Sequence, residues 1–296
     1  MSLFNKSVSM FIDKVPPSTI AVFAKRYIAG PNLEDAVRVT KQLNAQGAMT
    51  TIDVLGEFVS NKEETEHFRD LAIKVLEAID SHQLDANLSL KLTQMGLNLS
   101  KALCLDNIEK IFKRAKELGI FVRIDMEDSS CTDDTLEIYR NYRDEFNIGT
   151  VLQAYMRRTI DDIERLSDGR LNFRLCKGIY IEPRKIAYQE KDIVRDNFIY
   201  CLETLFKKKA YVGIATHDEY LVFHAERLIR EYGLKRDEYE FQMLLGVDEE
   251  LRQIILSRGH RLRVYVPFGR DWLPYSIRRL KENPNIIKSA IEGYLK

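Results

Sequence analysis

A chain of 296 residues with 45 basic and 45 acidic side chains carries no net charge, which gives no electrostatic footprint for nucleic acid or for strong attraction to an anionic membrane. Its 45% apolar content suits a globular protein with a large core. Cys104, Cys131, Cys176 and Cys201 are too scattered for a zinc ribbon or thioredoxin motif, and no apolar run approaches the ~18 residues of a membrane span.

Residues 1–30 are expected to form a helical arm, packed outside the body of the fold or over one end of it, and residues 31–296 the body itself. Short β-branched or apolar runs then recur at 50–55, 87–94, 121–126, 151–155, 173–178, 212–218, 239–245 and 261–268. Helical patterns alternate with them. Between the first two runs, residues 61–83 place Phe68, Leu71, Ala72, Val75, Leu76 and Ile79 on one stripe. The next helix, 105–119, closes on a glycine, and further helices fit 135–146, 159–168, 190–209, 218–232 and 248–258. Eight strand–helix units in strict alternation predict a parallel α/β sheet, most simply a (β/α)8 TIM barrel, with a doubly wound open sheet as the competing architecture.

Active sites of such barrels lie at the C-terminal ends of the strands. There the sequence places Asp53 and Glu57, Lys91 and Thr93, Asp125 and Glu127, Gln153 and Tyr155, Arg174 and Lys177, Thr216 and His217, Gln242, and Tyr265. Charges inside a barrel are costly unless paired or bound to a ligand, and so many at one end predict a polar ligand site. No GxGxxG follows the first strand, no GxxxxGK[ST] is present, and the five histidines form no metal motif. A last helix starts near Asp271; on it Tyr275, Arg278 and Arg279 share a side, with Glu282 placed to hold the arginines. Two arginines beside an aromatic ring suit bidentate capture of a carboxylate.

In order along the chain, LGE at 55–57, KLT at 91–93, RIDME at 123–127, LQAY at 152–155, RLCKGIY at 174–180, ATHD at 215–218, EFQMLLG at 240–246, RVYVPFG at 263–269 and YSIRRLKE at 275–282 resemble the catalytic barrel of proline dehydrogenases, over roughly residues 30–285. The resemblance implies a monofunctional flavoenzyme that oxidises L-proline to Δ1-pyrroline-5-carboxylate by hydride transfer to FAD at the barrel mouth. Electrons would pass to a quinone, and a separate pyrroline-5-carboxylate dehydrogenase would act downstream. The implied location is the cytoplasm, with peripheral contact at the inner face of a membrane. For the cofactor it implies Ile124, Gln153, Arg174, Lys177, Gly178, Ile179, Thr216 and His217, with Arg174 beside the reacting end of the flavin and Thr216 and His217 at the ADP half. For the substrate it implies Lys91, Arg278 and Arg279 on the carboxylate, Tyr265 and Tyr275 along the ring, and Glu57 closing through an ion pair with Arg279. Asp125 would orient Lys91 or Arg174. Two positions depart from the family pattern: Ile179 stands where alanine is usual, and Cys176 where valine is usual.

Within flavin barrels, a methylenetetrahydrofolate-reductase-like enzyme is the alternative; outside enzymes, a non-catalytic flavin or amino-acid sensor. The longest interval between strands lies between the fifth and sixth, and its start, 179–189, reads equally as a lid or as an extra surface turn.

Overall fold

The computed structural model describes residues 26–56, 59–273 and 275–277. Eight parallel strands close in sequence order, β1 (Met49–Val54), β2 (Ala86–Leu90), β3 (Val122–Ile124), β4 (Ile148–Gln153), β5 (Asn172–Cys176), β6 (Tyr211–Ala215), β7 (Tyr239–Leu244) and β8 (Leu262–Phe268). Pairing of Thr51 with Tyr265 and Asp53 with Pro267 closes the ring. The open-sheet alternative is thereby set aside.

Helices α2 (Lys62–Ser81), α3 (Lys101–Leu118), α4 (Thr132–Tyr142), α5 (Thr159–Arg165), α6 (Lys191–Lys207), α7 (Glu219–Glu231) and α8 (Glu249–Ser257) alternate with the strands. Each coincides with an expected helix. α3 starts four residues before its expected first residue because Ser100 caps it, its hydroxyl accepting from Leu103 N. One helix was not foreseen: α1 (Leu33–Ala45), whose stripe Ala36, Val37, Thr40 and Leu43 is buried on the barrel ahead of β1. The stripe was legible, but it fell in the stretch assigned to no element.

Alternation along the strands separates two chemistries. Phe241 and Met243 of β7, Val264 and Val266 of β8, Val122 and Ile124 of β3, and Phe173 and Leu175 of β5 join one apolar core with the helices. The residues between them turn into the barrel. Arg174 of β5 bonds Gln242 of β7, and Arg123 of β3 bonds Asn172 of β5, skipping the strand between in each case. Such contacts are made only across the lumen. Aliphatic layers usually fill a barrel; here much of the filling is paired charge, and a buried charge is tolerated only with such partners.

The end of the N-terminal arm lies over one rim. Ala29 N donates to Pro267 O at 2.9 Å and Gly269 N to Gly30 O at 3.0 Å, while Tyr27 is buried beside Leu55 and Tyr275. The rest of the arm, residues 1–25, lies outside the described residues. Segment 179–189 is largely anchored. Tyr188 N donates to Tyr155 O at 2.8 Å, Arg157 N to Ile186 O at 3.0 Å, and Ser129 N to Glu182 Oε1 at 2.7 Å. Its first three residues stand out, with Ile181 fully exposed. These bonds hold the segment from Glu182 to Tyr188 to the body of the fold.

Candidate active site

A cavity of about 980 Å3 opens at the C-terminal ends of the strands. At its base Asp125, just past β3, ties the site together. Its Oδ1 accepts from Arg174 Nη1 at 2.7 Å, its Oδ2 accepts from the Tyr265 hydroxyl at 2.8 Å, and Lys91 Nζ lies 3.5 Å from Oδ2. Lys91 also donates to Asp53 Oδ1 at 2.5 Å and to the Tyr265 oxygen at 3.3 Å. Burial by itself would raise the Asp125 carboxyl, but Arg174 and Lys91 outweigh it and hold it below the usual carboxylate range. Burial would likewise lower Lys91, yet Asp53, Tyr265 and Asp125 together keep its ammonium charged well above the ordinary lysine value. Asp125 contacts both groups that it was expected to pair with, Arg174 and Lys91.

One wall follows β5 and β6. Lys177 and Arg195 both grip Asp218, Lys177 Nζ at 3.2 Å from Oδ2 and Arg195 Nη2 at 2.8 Å from Oδ1. Gly178 sits at φ +107°, and a Cβ there would fall 2.2 Å from the Tyr155 ring. Its glycine is thus required by the fold itself. Ile179 lines the cavity partly exposed. Thr216 Oγ1 accepts from Asp218 N at 3.1 Å, and Gln153 Nε2 donates to Glu127 O at 3.2 Å. His217 Nε2 accepts from Leu244 N at 2.8 Å, which places the ring proton of the neutral form on Nδ1.

The cavity brings together Lys91, Asp125, Gln153, Arg174, Lys177, Gly178, Ile179, Thr216, His217, Tyr265 and Tyr275. Ile124 is a correction to the expected set: strand alternation points it away from Asp125, and its fully buried side chain packs in the apolar core outside the barrel. Lys91 and Lys177 lie one residue beyond their strands rather than within them. Glu57, Arg278 and Arg279 lie outside the described residues. Sequence reading passed over Tyr27 and Arg195, and gave no site role to Asp53, named as a strand-end acid, or to Asp218, the last residue of the ATHD stretch. The signal for Asp53 was its place as an acid at the end of the first strand, which pairs with Ser89 of β2.

Below the cavity Glu240 of β7 is 2% exposed and accepts from Arg263 Nε at 2.7 Å, the Tyr211 hydroxyl at 2.8 Å and Gln242 Nε2 at 2.6 Å. Burial would raise its carboxyl, but Arg263 and the two hydrogen bonds bring it down to about 2 from the ordinary 4.5. A depressed acid stabilises the fold fully above its unfolded value and ceases to do so as pH falls toward its folded value. On the order of 3 kcal/mol is therefore expected to disappear between about pH 5 and about pH 2, readable in denaturant midpoints. Glu240→Gln should flatten that slope; parallel acid profiles for the two proteins would assign the loss to other groups.

The sequence profile described as proline dehydrogenase matches residues 36–289. The chain belongs to the proline dehydrogenase family. It is 39% identical over 274 residues to proline dehydrogenase 1 of Bacillus subtilis subsp. natto, spanning 92% of this chain and 91% of the relative. To the proline dehydrogenase of Deinococcus radiodurans it is 36% identical over 279 residues, spanning 92% and 90%. Among solved structures it is similar to proline utilization A of Bdellovibrio bacteriovorus inactivated by N-propargylglycine, with a TM-score of 0.82 and 25% identity over 88% of this chain. The chain spans 32% of that protein's length. Membership of the proline dehydrogenase family sets aside the methylenetetrahydrofolate-reductase-like reading. As in the sequence, no described helix of this family member is long and apolar enough to cross a membrane.

Proposed function

We propose that the chain oxidises L-proline to Δ1-pyrroline-5-carboxylate, using FAD held in the barrel-mouth cavity. The observation that carries this reading is the buried Lys91–Asp125–Arg174–Tyr265 constellation at the floor of a cavity large enough for a cofactor and a small amino acid. The residues suit an anionic, aromatic cofactor. Arg174 lines the cavity with Nη2 buried and unpaired, and Lys177, Lys191 and Arg195 add cationic donors along the wall. When bound, FAD supplies the acceptor for the hydride leaving C5 of proline.

Around that reaction the chain's own groups position and neutralise. Lys91, with Arg278 and Arg279, holds the substrate carboxylate, and Tyr265 and Tyr275 flank its ring. Asp125 fixes Lys91, Arg174 and Tyr265 in one arrangement, so the binding groups are pre-organised. Arg174 offers a fixed positive charge where negative charge accumulates. Gln153, Lys177, Gly178 and Ile179 line the cofactor's side, with Thr216 and His217 toward its nucleotide half. Glu57 closes over the substrate through Arg279. The substrate amine loses its proton to water as hydride leaves. A quinone takes the electrons through peripheral membrane contact, and a separate pyrroline-5-carboxylate dehydrogenase consumes the product.

Purified protein is expected to be yellow, with a flavin spectrum bleached by anaerobic L-proline. Colourless protein, or yellow protein indifferent to proline, overturns the reading and the second outcome would favour a sensor. Arg278→Met or Arg279→Met should raise the KM for proline by about 2–4 kcal/mol equivalent while leaving flavin content intact. An unchanged KM in both variants would remove these arginines from the site. Lys177→Ala and His217→Ala should instead purify with less flavin; full occupancy with weakened proline binding would mean that the two halves of the site are reversed.

A further inference from the structure

A glutamine amide is nearly symmetric in shape, so its neighbours decide which end carries oxygen. For Gln242 that decision is made below the cavity. The Glu240 carboxylate can only accept, and it draws Gln242 Nε2 to 2.6 Å from its Oε1. The amide oxygen is thereby turned to Arg174, whose Nε lies 2.6 Å from it. Glu240 cannot swing away: Arg263 holds both of its oxygens, Nε to Oε1 at 2.7 Å and Nη2 to Oε2 at 3.1 Å, and the Tyr211 hydroxyl adds a bond at 2.8 Å. Space for the amide comes from Gly213 of β6, where a Cβ would fall 2.4 Å from Gln242 Nε2.

Arg174 is consequently gripped twice, by Gln242 at Nε and by Asp125 at Nη1, and Nη2 is left buried without a partner. We propose that Glu240 is a positioning residue which, through the Gln242 amide, locks the Arg174 guanidinium in one orientation at the floor of the ligand cavity. What the guanidinium meets in the cavity rests on the FAD reading above; the lock itself does not. Glu240 is too deep to touch any ligand, since it is absent from the cavity lining.

Two variants test this by different routes. Glu240→Gln lets the residue at 240 offer either an oxygen or a nitrogen, so the Gln242 amide is free to turn over. Gly213→Ala displaces the same amide without changing charge. Hydrogen exchange of Arg174 Nε–H, followed by NMR on the protein as purified and assigned with Arg174→Lys, is expected to quicken at least about tenfold in both. The flavin's midpoint potential should fall in both by about 30 mV, the equivalent of tenfold for a two-electron couple. A through-space role for Glu240 predicts the opposite sign, because removing a negative charge raises the potential. Unchanged exchange in the two variants, or a potential that rises in Glu240→Gln and stays put in Gly213→Ala, overturns the proposal. Quickened exchange in a protein that takes up no flavin would uphold the lock and overturn the cofactor reading. Should Glu240→Gln fail to fold, Gly213→Ala carries both measurements alone.

Discussion

Asp125→Ala is expected to cost about 3–5 kcal/mol of folding stability and to lower turnover on the order of 100-fold. Both effects come from one carboxylate. In the native site it accepts from Arg174 and Tyr265 and faces Lys91, and all the groups concerned are largely shielded from water, with side-chain exposures of 12% for Asp125, 10% for Arg174 and 13% for Lys91. Without it two buried cations oppose one another, with Asp53 left to compensate Lys91 alone. An uncompensated buried charge is far more damaging than the net value of the pair suggests. Asp125→Asn keeps an oxygen for Arg174 and should cost about half as much. Urea titration measures the first effect and steady-state kinetics the second. A loss below about 1 kcal/mol for the alanine variant would mean that water reaches these groups freely and that the site is not the dry, pre-organised floor described above.

Gly178→Ala is expected to destabilise by about 3 kcal/mol or more, through two independent causes. The backbone at φ +107° lies where a side chain is strained, and the added Cβ would press into the Tyr155 ring at 2.2 Å. Tyr155 cannot retreat easily. It is buried in a cluster with Met156, Ala187 and Val194, and its own backbone is bonded at both ends, Tyr155 N to Lys177 O and Tyr188 N to Tyr155 O, each at 2.8 Å. Combining Gly178→Ala with Tyr155→Leu should recover the steric part and leave the backbone part. Thermal melts of the single and double variants separate them. A neutral Gly178→Ala would show that this turn has room to shift and that the glycine serves ligand approach alone.

The alternation of strands and helices, and with it the barrel, was legible because each element's period matches the face it buries. Phe241 and Met243 alternate with Glu240 and Gln242 in β7, and that two-residue rhythm is written in the chain. The position of the site at the strand ends followed from the same pattern. Lys91, Asp125, Arg174 and Tyr265 could be named individually because charged and hydroxyl groups in strand-end positions are costly without partners. Which partner each takes was not legible. The distance from Arg174 to Gln242 is 68 residues along the chain and 2.6 Å across the lumen, a contact created by closure of the ring. Ile124 illustrates the same limit: one residue from Asp125, it faces the opposite side of the sheet, and only register decides which side is the lumen. Tyr27 and Arg195 reach the cavity from outside the strands, Tyr27 through the arm lying over the β8 rim and Arg195 from α6, the helix leading to β6. Local sequence determined the elements, their faces and the costly polar residues among them. Tertiary structure alone decided the pairings, since a hydrogen bond depends on fractions of an ångström between strands that the chain brings together only when the barrel closes.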